Sequence, residues 1–269
     1  MTQSVSFEKS KFSKRLSSML RVDLRRAFKS KTLYILSATA LLMPILMTVM
    51  MTMMDGSVSV DPQTGVETVM KGPENSWQNI GTLPGAEQMG GSEIFAMCNV
   101  NMMFMAVAVF IGLFIASDFR SGFAKNLFTT RTGRGEYIFS KTLVGFLCGS
   151  LLLILYFVGS MLGGAVTGLS FDLCGLTPLN VVWCLLSKIF LMLVFVAIDV
   201  LVGVCAKKMA WLSICGSLGG GMLLFTMVSL ITPLSATLLH VGLCLGGGLL
   251  FALGLGAIGR TVLRKTALV

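Results

Sequence analysis

Residues 181–206 read VVWCLLSKIFLMLVFVAIDVLVGVCA, and Lys207-Lys208 follow directly. That run, interrupted only by Lys188 and Asp199, exceeds the roughly 20 apolar residues a helix needs to cross a hydrocarbon core. The pattern recurs on both sides. Apolar runs at Leu33–Met54, Phe95–Ser117, Thr142–Leu169, Val181–Ala206, Met209–Ile231 and Leu238–Ile258 predict six membrane spans. The first is read as a retained span, because it is long for a signal peptide, no small-residue cleavage site follows it and a long basic segment precedes it. Composition agrees: 55% of the 269 residues are hydrophobic, 12% are charged, and the mean hydropathy is +0.85. Soluble chains carry about 25% charged residues, so this one requires lipid as solvent. The expected fold class is all-α integral membrane.

Charge between the runs sets the orientation, since basic connections stay in the cytoplasm. Residues 1–32 have a net charge of +7, residues 55–94 of −5 and residues 117–141 of +3. The later connections continue the alternation: Asp172 makes one negative, Lys207 and Lys208 the next positive, and Arg260, Arg264 and Lys265 make the tail positive. Both termini are therefore expected in the cytoplasm and the 55–94 loop outside. The net charge of +9 is read as orientation rather than nucleic-acid affinity.

Residues 1–32 form a distinct segment. On a helical wheel Phe12, Leu16, Met19, Leu20, Leu24, Ala27 and Phe28 share one half, while Lys14, Arg15, Arg21, Arg25, Arg26 and Lys29 share the other. Asp23 is the exception, an acid on the apolar side. The segment is expected to lie in the cytoplasmic interface with its cations near anionic headgroups. Residues 33–269 form the six-helix domain. Its 55–94 loop, rich in Gly and Pro with Trp77 as a lone aromatic, admits either a packed cap or a flexible acidic loop. Glycines four apart (Gly159/Gly163, Gly164/Gly168, Gly216/Gly220, Gly242/Gly246) allow close helix contact, within one subunit or across a dimer seam.

Enzyme chemistry is poorly supplied. The single histidine, His240, has no HExxH partner, and the seven cysteines form no CxxC, so no metal site is expected. The chain has no GxSxG elbow and no GxxxxGK[ST] phosphate loop. Lys188 and Asp199 are the candidate translocation or gating residues, since intramembrane charge is costly and marks function by default. A purely structural polar contact is the competing reading for both. Eleven residues of separation put them about 16 Å apart along a helix, too far for a salt bridge. A short surface helix over 178–186 would let Lys188 snorkel to the outer interface.

The stretch 117–141 carries the most specific pattern. Asp118-Phe119 ends an apolar span; Gly122, Lys125 and Leu127 follow, then Thr130-Arg131, then Tyr137 and Lys141 leading into the next span. In this order it resembles the membrane subunits of ABC-2-type transporters, with Thr129-Thr130 where that family usually has a Pro before a Ser-Arg element. The overall layout is similar too, in a type V exporter-like arrangement. The resemblance implies a coupling loop made of Asp118, Phe119, Arg120, Gly122, Phe123, Lys125, Leu127 and Phe128, in which a short amphipathic helix enters a groove on a soluble ATPase. It implies a permease subunit, not itself an enzyme, with ATP and Mg2+ held by a separate cytosolic ABC ATPase and a second permease copy or paralogue completing a dimer. The implied cargo is an amphipathic peptide, lipid-like molecule or antimicrobial peptide, exported across a bacterial plasma membrane. Two other readings stay open: an ATP-independent ion-coupled carrier or channel, and a non-transporting scaffold or sensor subunit.

Overall fold

A computed structural model describes residues 12–60, 67–69, 71–81, 99–129 and 133–265. Helix α1 (Phe12–Phe28) precedes α2 (Lys31–Met53); a hairpin of β1 (Val58–Val60) and β2 (Glu67–Val69) and a one-turn 3-10 helix (Ser76–Asn79) follow. Then come α3 (Met102–Arg120), the short α4 (Phe123–Thr129), α5 (Arg134–Thr167), α6 (Pro178–Ala206), α7 (Ala210–Ile231) and α8 (Leu238–Lys265). Five of these, α2, α3, α5, α6 and α8, are long and apolar enough to cross a membrane. The fifth expected run forms α7, apolar over Ala210–Phe225.

The boundaries differ from expectation for local reasons. Helix α5 starts two turns earlier than Thr142, so Tyr137 and Lys141 are helical. Glu136 accepts from Gly133 N at 2.9 Å and caps that early start. It ends at Gly168, whose φ of +70° favours glycine at a left-handed helix terminus. The α6 helix is continuous from Pro178, placed at the first turn where its missing N–H costs nothing. The separate surface helix over 178–186 is therefore absent, and Lys188 is fully buried rather than snorkelling. The expected start of the second run at Phe95 lies outside the described residues; α3 begins after a turn at Asn99–Asn101.

Helices α3 and α6 are the bundle's most buried elements, whereas α2 and α8 keep most of their surface open. The exposed residues of α2 and α8 include Ile35, Leu42, Leu46, Leu243, Leu250 and Leu253, an apolar belt suited to lipid. Helix α2 packs along α5 and α8 along α6. The α2–α5 seam is set by glycine. A methyl group added at Gly159 would overlap the Leu41 carbonyl oxygen and stand 2.7 Å from Pro44 Cγ; one at Gly163 would lie 3.1 Å from Ile45 Cα. Of the four glycine pairs, Gly159/Gly163 thus serves packing within the chain, while Gly242 and Gly246 have open space around them.

The described part of the 55–94 loop includes a packed segment, 71–81. Trp77 Nε1 donates to the Phe171 carbonyl at 3.0 Å, and Ser76 N donates to the Ser170 carbonyl at 3.0 Å. Buried Asn79 donates to Thr48 Oγ1 at 2.9 Å, while that hydroxyl donates to the Pro44 carbonyl at 2.7 Å. Thr48→Val removes both bonds and leaves the Asn79 amide without its acceptor, which costs about 1–3 kcal/mol. The expected result is a lower melting temperature in detergent, with faster amide exchange over residues 71–81.

Candidate functional site: a buried ion cluster at the basic end

Three helices each bring residues spaced four apart to one point. On α1, Met19, Asp23 and Ala27 form the buried stripe; on α3 it is Phe114 and Asp118; on α5 it is Tyr137 and Lys141. Lys141 Nζ lies 2.8 Å from Asp23 Oδ1 and 2.7 Å from Asp118 Oδ2, with both acids fully buried. Ser140 Oγ donates to Asp23 Oδ2 at 2.7 Å and Tyr137 Oη to Asp118 Oδ2 at 3.0 Å. Arg26 closes the set, 2.6 Å from Asp118 Oδ1 and 3.7 Å from Asp23 Oδ1. Two carboxylates face two cations, so the cluster is neutral as a whole. Burial of single charges here would be prohibitive, and pairing with hydrogen bonds to the remaining lone pairs makes it tolerable.

An aromatic wall seals the cluster. Lys141 Nζ sits 4.0 Å from the Phe114 ring centre, and the Arg26 guanidinium lies 4.3 Å from that of Phe123. Phe128 and Phe119 pack edge-on to Tyr137, with centroids 5.3 and 6.5 Å away. Gly122, at φ +71°, makes the turn that folds α4 back under α3.

The residues expected in the coupling loop therefore separate into two sets. Asp118 and Phe119 are buried, Phe123, Leu127 and Phe128 are half-buried against the cluster, and Arg120 and Lys125 are exposed. The cluster turns the α4 aromatics inward, so Phe123, Leu127 and Phe128 have packing partners within the chain. Lys125, Asn126 and Thr129 form its exposed face. Arg120 Nε donates to the Lys208 carbonyl at 2.8 Å, joining α3 to the α6–α7 turn. Thr130-Arg131 lies outside the described residues.

The α1 arginines also divide. Arg21 and Arg25 are exposed, whereas Arg26 turns into the cluster and Arg15 pairs with Glu136 at 3.1 Å. A wheel drawn for α1 alone cannot show this, since the acids that attract Arg15 and Arg26 stand on α3 and α5. Asp23 was visible as the one acid on the apolar face, a signal that a buried cation awaited it.

Lys188 and Asp199 are not brought together. Lys188 Nζ donates to Asn101 Oδ1 at 2.7 Å and to Thr232 Oγ1 at 2.9 Å, at the end of the bundle away from α1. Asp199 is buried on α6 beside Ser217 of α7, with one carboxylate oxygen lacking a hydrogen-bond partner among the described residues.

The helices and the buried cluster define a multi-pass membrane protein in which a short helix at one end is locked to three others. Residues 24–223 match the family described as ABC-2 family transporter protein, a range that takes in α2 to α6 and every member of the cluster except Asp23. The chain belongs to the ABC-2 family of transporter proteins. Membership makes it a membrane component of an ABC transporter and implies an ATPase subunit as its partner. Neither a curated protein nor a solved structure matches the chain.

Proposed function

We propose that this chain is the six-span permease subunit of an ATP-driven exporter, with both termini in the bacterial cytoplasm and the 55–94 loop outside. Two permease chains form a dimer, and two copies of a separate ATPase, which hold ATP and Mg2+, drive it. The cargo is an amphipathic peptide or lipid-like molecule, antimicrobial peptides included, because the apolar spans offer broad surface and few fixed charges. Lys188 and Asp199 are the polar points at which the contacts of α6 with α3 and α7 open to form a gate. Helix α1 lies in the membrane interface, presenting Arg21 and Arg25 to headgroups.

The observation supporting this reading is the placement of α4. Its exposed residues are polar and its aromatic face is anchored on the ion cluster, so a push on α4 is delivered to α1, α3 and α5 together. Contact with an ATPase groove through Lys125 and its neighbours fits that arrangement. The test is mild-detergent co-purification from native membranes. A soluble ATPase is expected in stoichiometric amount with the wild-type chain, and Lys125→Glu together with Asn126→Glu is expected to lower its recovery at least fivefold at unchanged permease level. Recovery of the chain alone, or full ATPase recovery with the double variant, overturns the coupling role.

A further inference from the structure

A second charged feature at the basic end has no part in the ion cluster. A cleft of about 550 Å3 opens between the start of α5 and the end of α8, bordered by Arg15, Arg134, Arg260 and Arg264, with Phe128 as an apolar wall. Glu136 is the one acid lining it, and both of its oxygens are engaged, by Arg15 at 3.1 Å and by Gly133 N at 2.9 Å. Among the described residues no carboxylate pairs with Arg134, Arg260 or Arg264. Arg134 Nε is shut off from solvent without a hydrogen-bond partner. Converging guanidinium groups repel one another unless an anion lies between them, and their planar forks match phosphate oxygens in bidentate geometry.

We propose that this cleft binds the phosphate of an anionic phospholipid headgroup. The lipid source, rather than free phosphate, is indicated by the surface that leads into it. Leu250 and Leu253 lie exposed on α8 on the same side as Arg260 and Arg264, so an acyl chain has an apolar track that ends at the arginines. The proposal rests on the reading that the α1 end lies at the headgroup layer and is independent of any ATPase.

The test uses the full chain in mild detergent, with thermal stabilisation measured against added dioleoyl phosphatidylglycerol, dioleoyl phosphatidylcholine or sodium phosphate. The wild type is expected to bind phosphatidylglycerol at least tenfold more tightly than phosphatidylcholine. Arg134→Gln with Arg260→Gln is expected to abolish that preference, and Arg264→Gln alone, an exposed change that spares folding, to weaken it severalfold. Arg21→Gln with Arg25→Gln, which removes cations that face headgroups outside the cleft, is expected to lower it no more than twofold. Equal stabilisation by sodium phosphate at matched concentration overturns the lipid source, and preference that survives both cleft variants overturns the site. Loss of preference only in the Arg21/Arg25 variant assigns headgroup contact to α1 alone and sinks the cleft, leaving the interfacial reading standing. Absence of any preference in the wild type removes both.

Discussion

Lys141→Met is expected to detach α1 from the bundle. Among the described residues Lys141 Nζ is the only group lying within 3 Å of both Asp23 and Asp118, and all three side chains are buried. Removing it leaves two carboxylates facing each other with Arg26 as their remaining cation, itself 3.7 Å from Asp23. Breaking one partner out of a buried ion set costs about 3–5 kcal/mol, because the uncompensated charge stays behind. The loss should register as a lower melting temperature and as fast amide exchange confined to residues 12–28 and the start of α5. Substituting Lys141→Met and Asp23→Asn together keeps the cluster neutral, with Arg26 still 2.6 Å from Asp118, and is expected to recover much of the stability. If Lys141→Met alone melts like the wild type, the cluster does not hold α1.

Gly159→Leu is expected to open the seam between α2 and α5. Even a methyl group there overlaps the Leu41 carbonyl oxygen, a backbone atom that cannot rotate away, and Pro44 stiffens the neighbouring turn. Overpacking of this kind costs about 1–3 kcal/mol for a small addition and more for a branched side chain. The α2 helix would have to move outward by most of a side-chain layer, exposing Thr48 and unseating Asn79. Gly246→Ala, with nothing within 4 Å of the added carbon, serves as the control and is expected to leave the melting temperature unchanged or slightly higher. Equal melting of the two variants would refute the close-packed seam.

These two sites show what a linear reading reaches. The apolar runs and alternating loop charge gave the long helices, because membrane spanning is decided by local composition. Asp118, Tyr137 and Lys141 were legible as ordered positions between two spans, yet their common target was not: Asp23 lies 118 residues before Lys141. Likewise Gly159 and Gly163 looked no different from Gly242 and Gly246, since what distinguishes them is the carbonyl of Leu41 on another helix. The α4 aromatics illustrate the same limit. Phe119 and Phe128 read only as residues of a coupling loop, whereas Tyr137, from the next helix, packs against both of them.

The distance along the chain between Asp23 and Lys141 has a consequence for synthesis. At about 5–20 residues per second, α1 is complete about 6–23 s before Lys141 leaves the ribosome. During that interval Asp23 can be satisfied only by water or by Arg26, so α1 cannot take its final seat however early it contacts the bilayer. Seating of the first helix is therefore a late event, licensed by the arrival of α3 and α5. Its resistance to a protease in a pulse-labelled translation would report that the front half of the protein has been assembled.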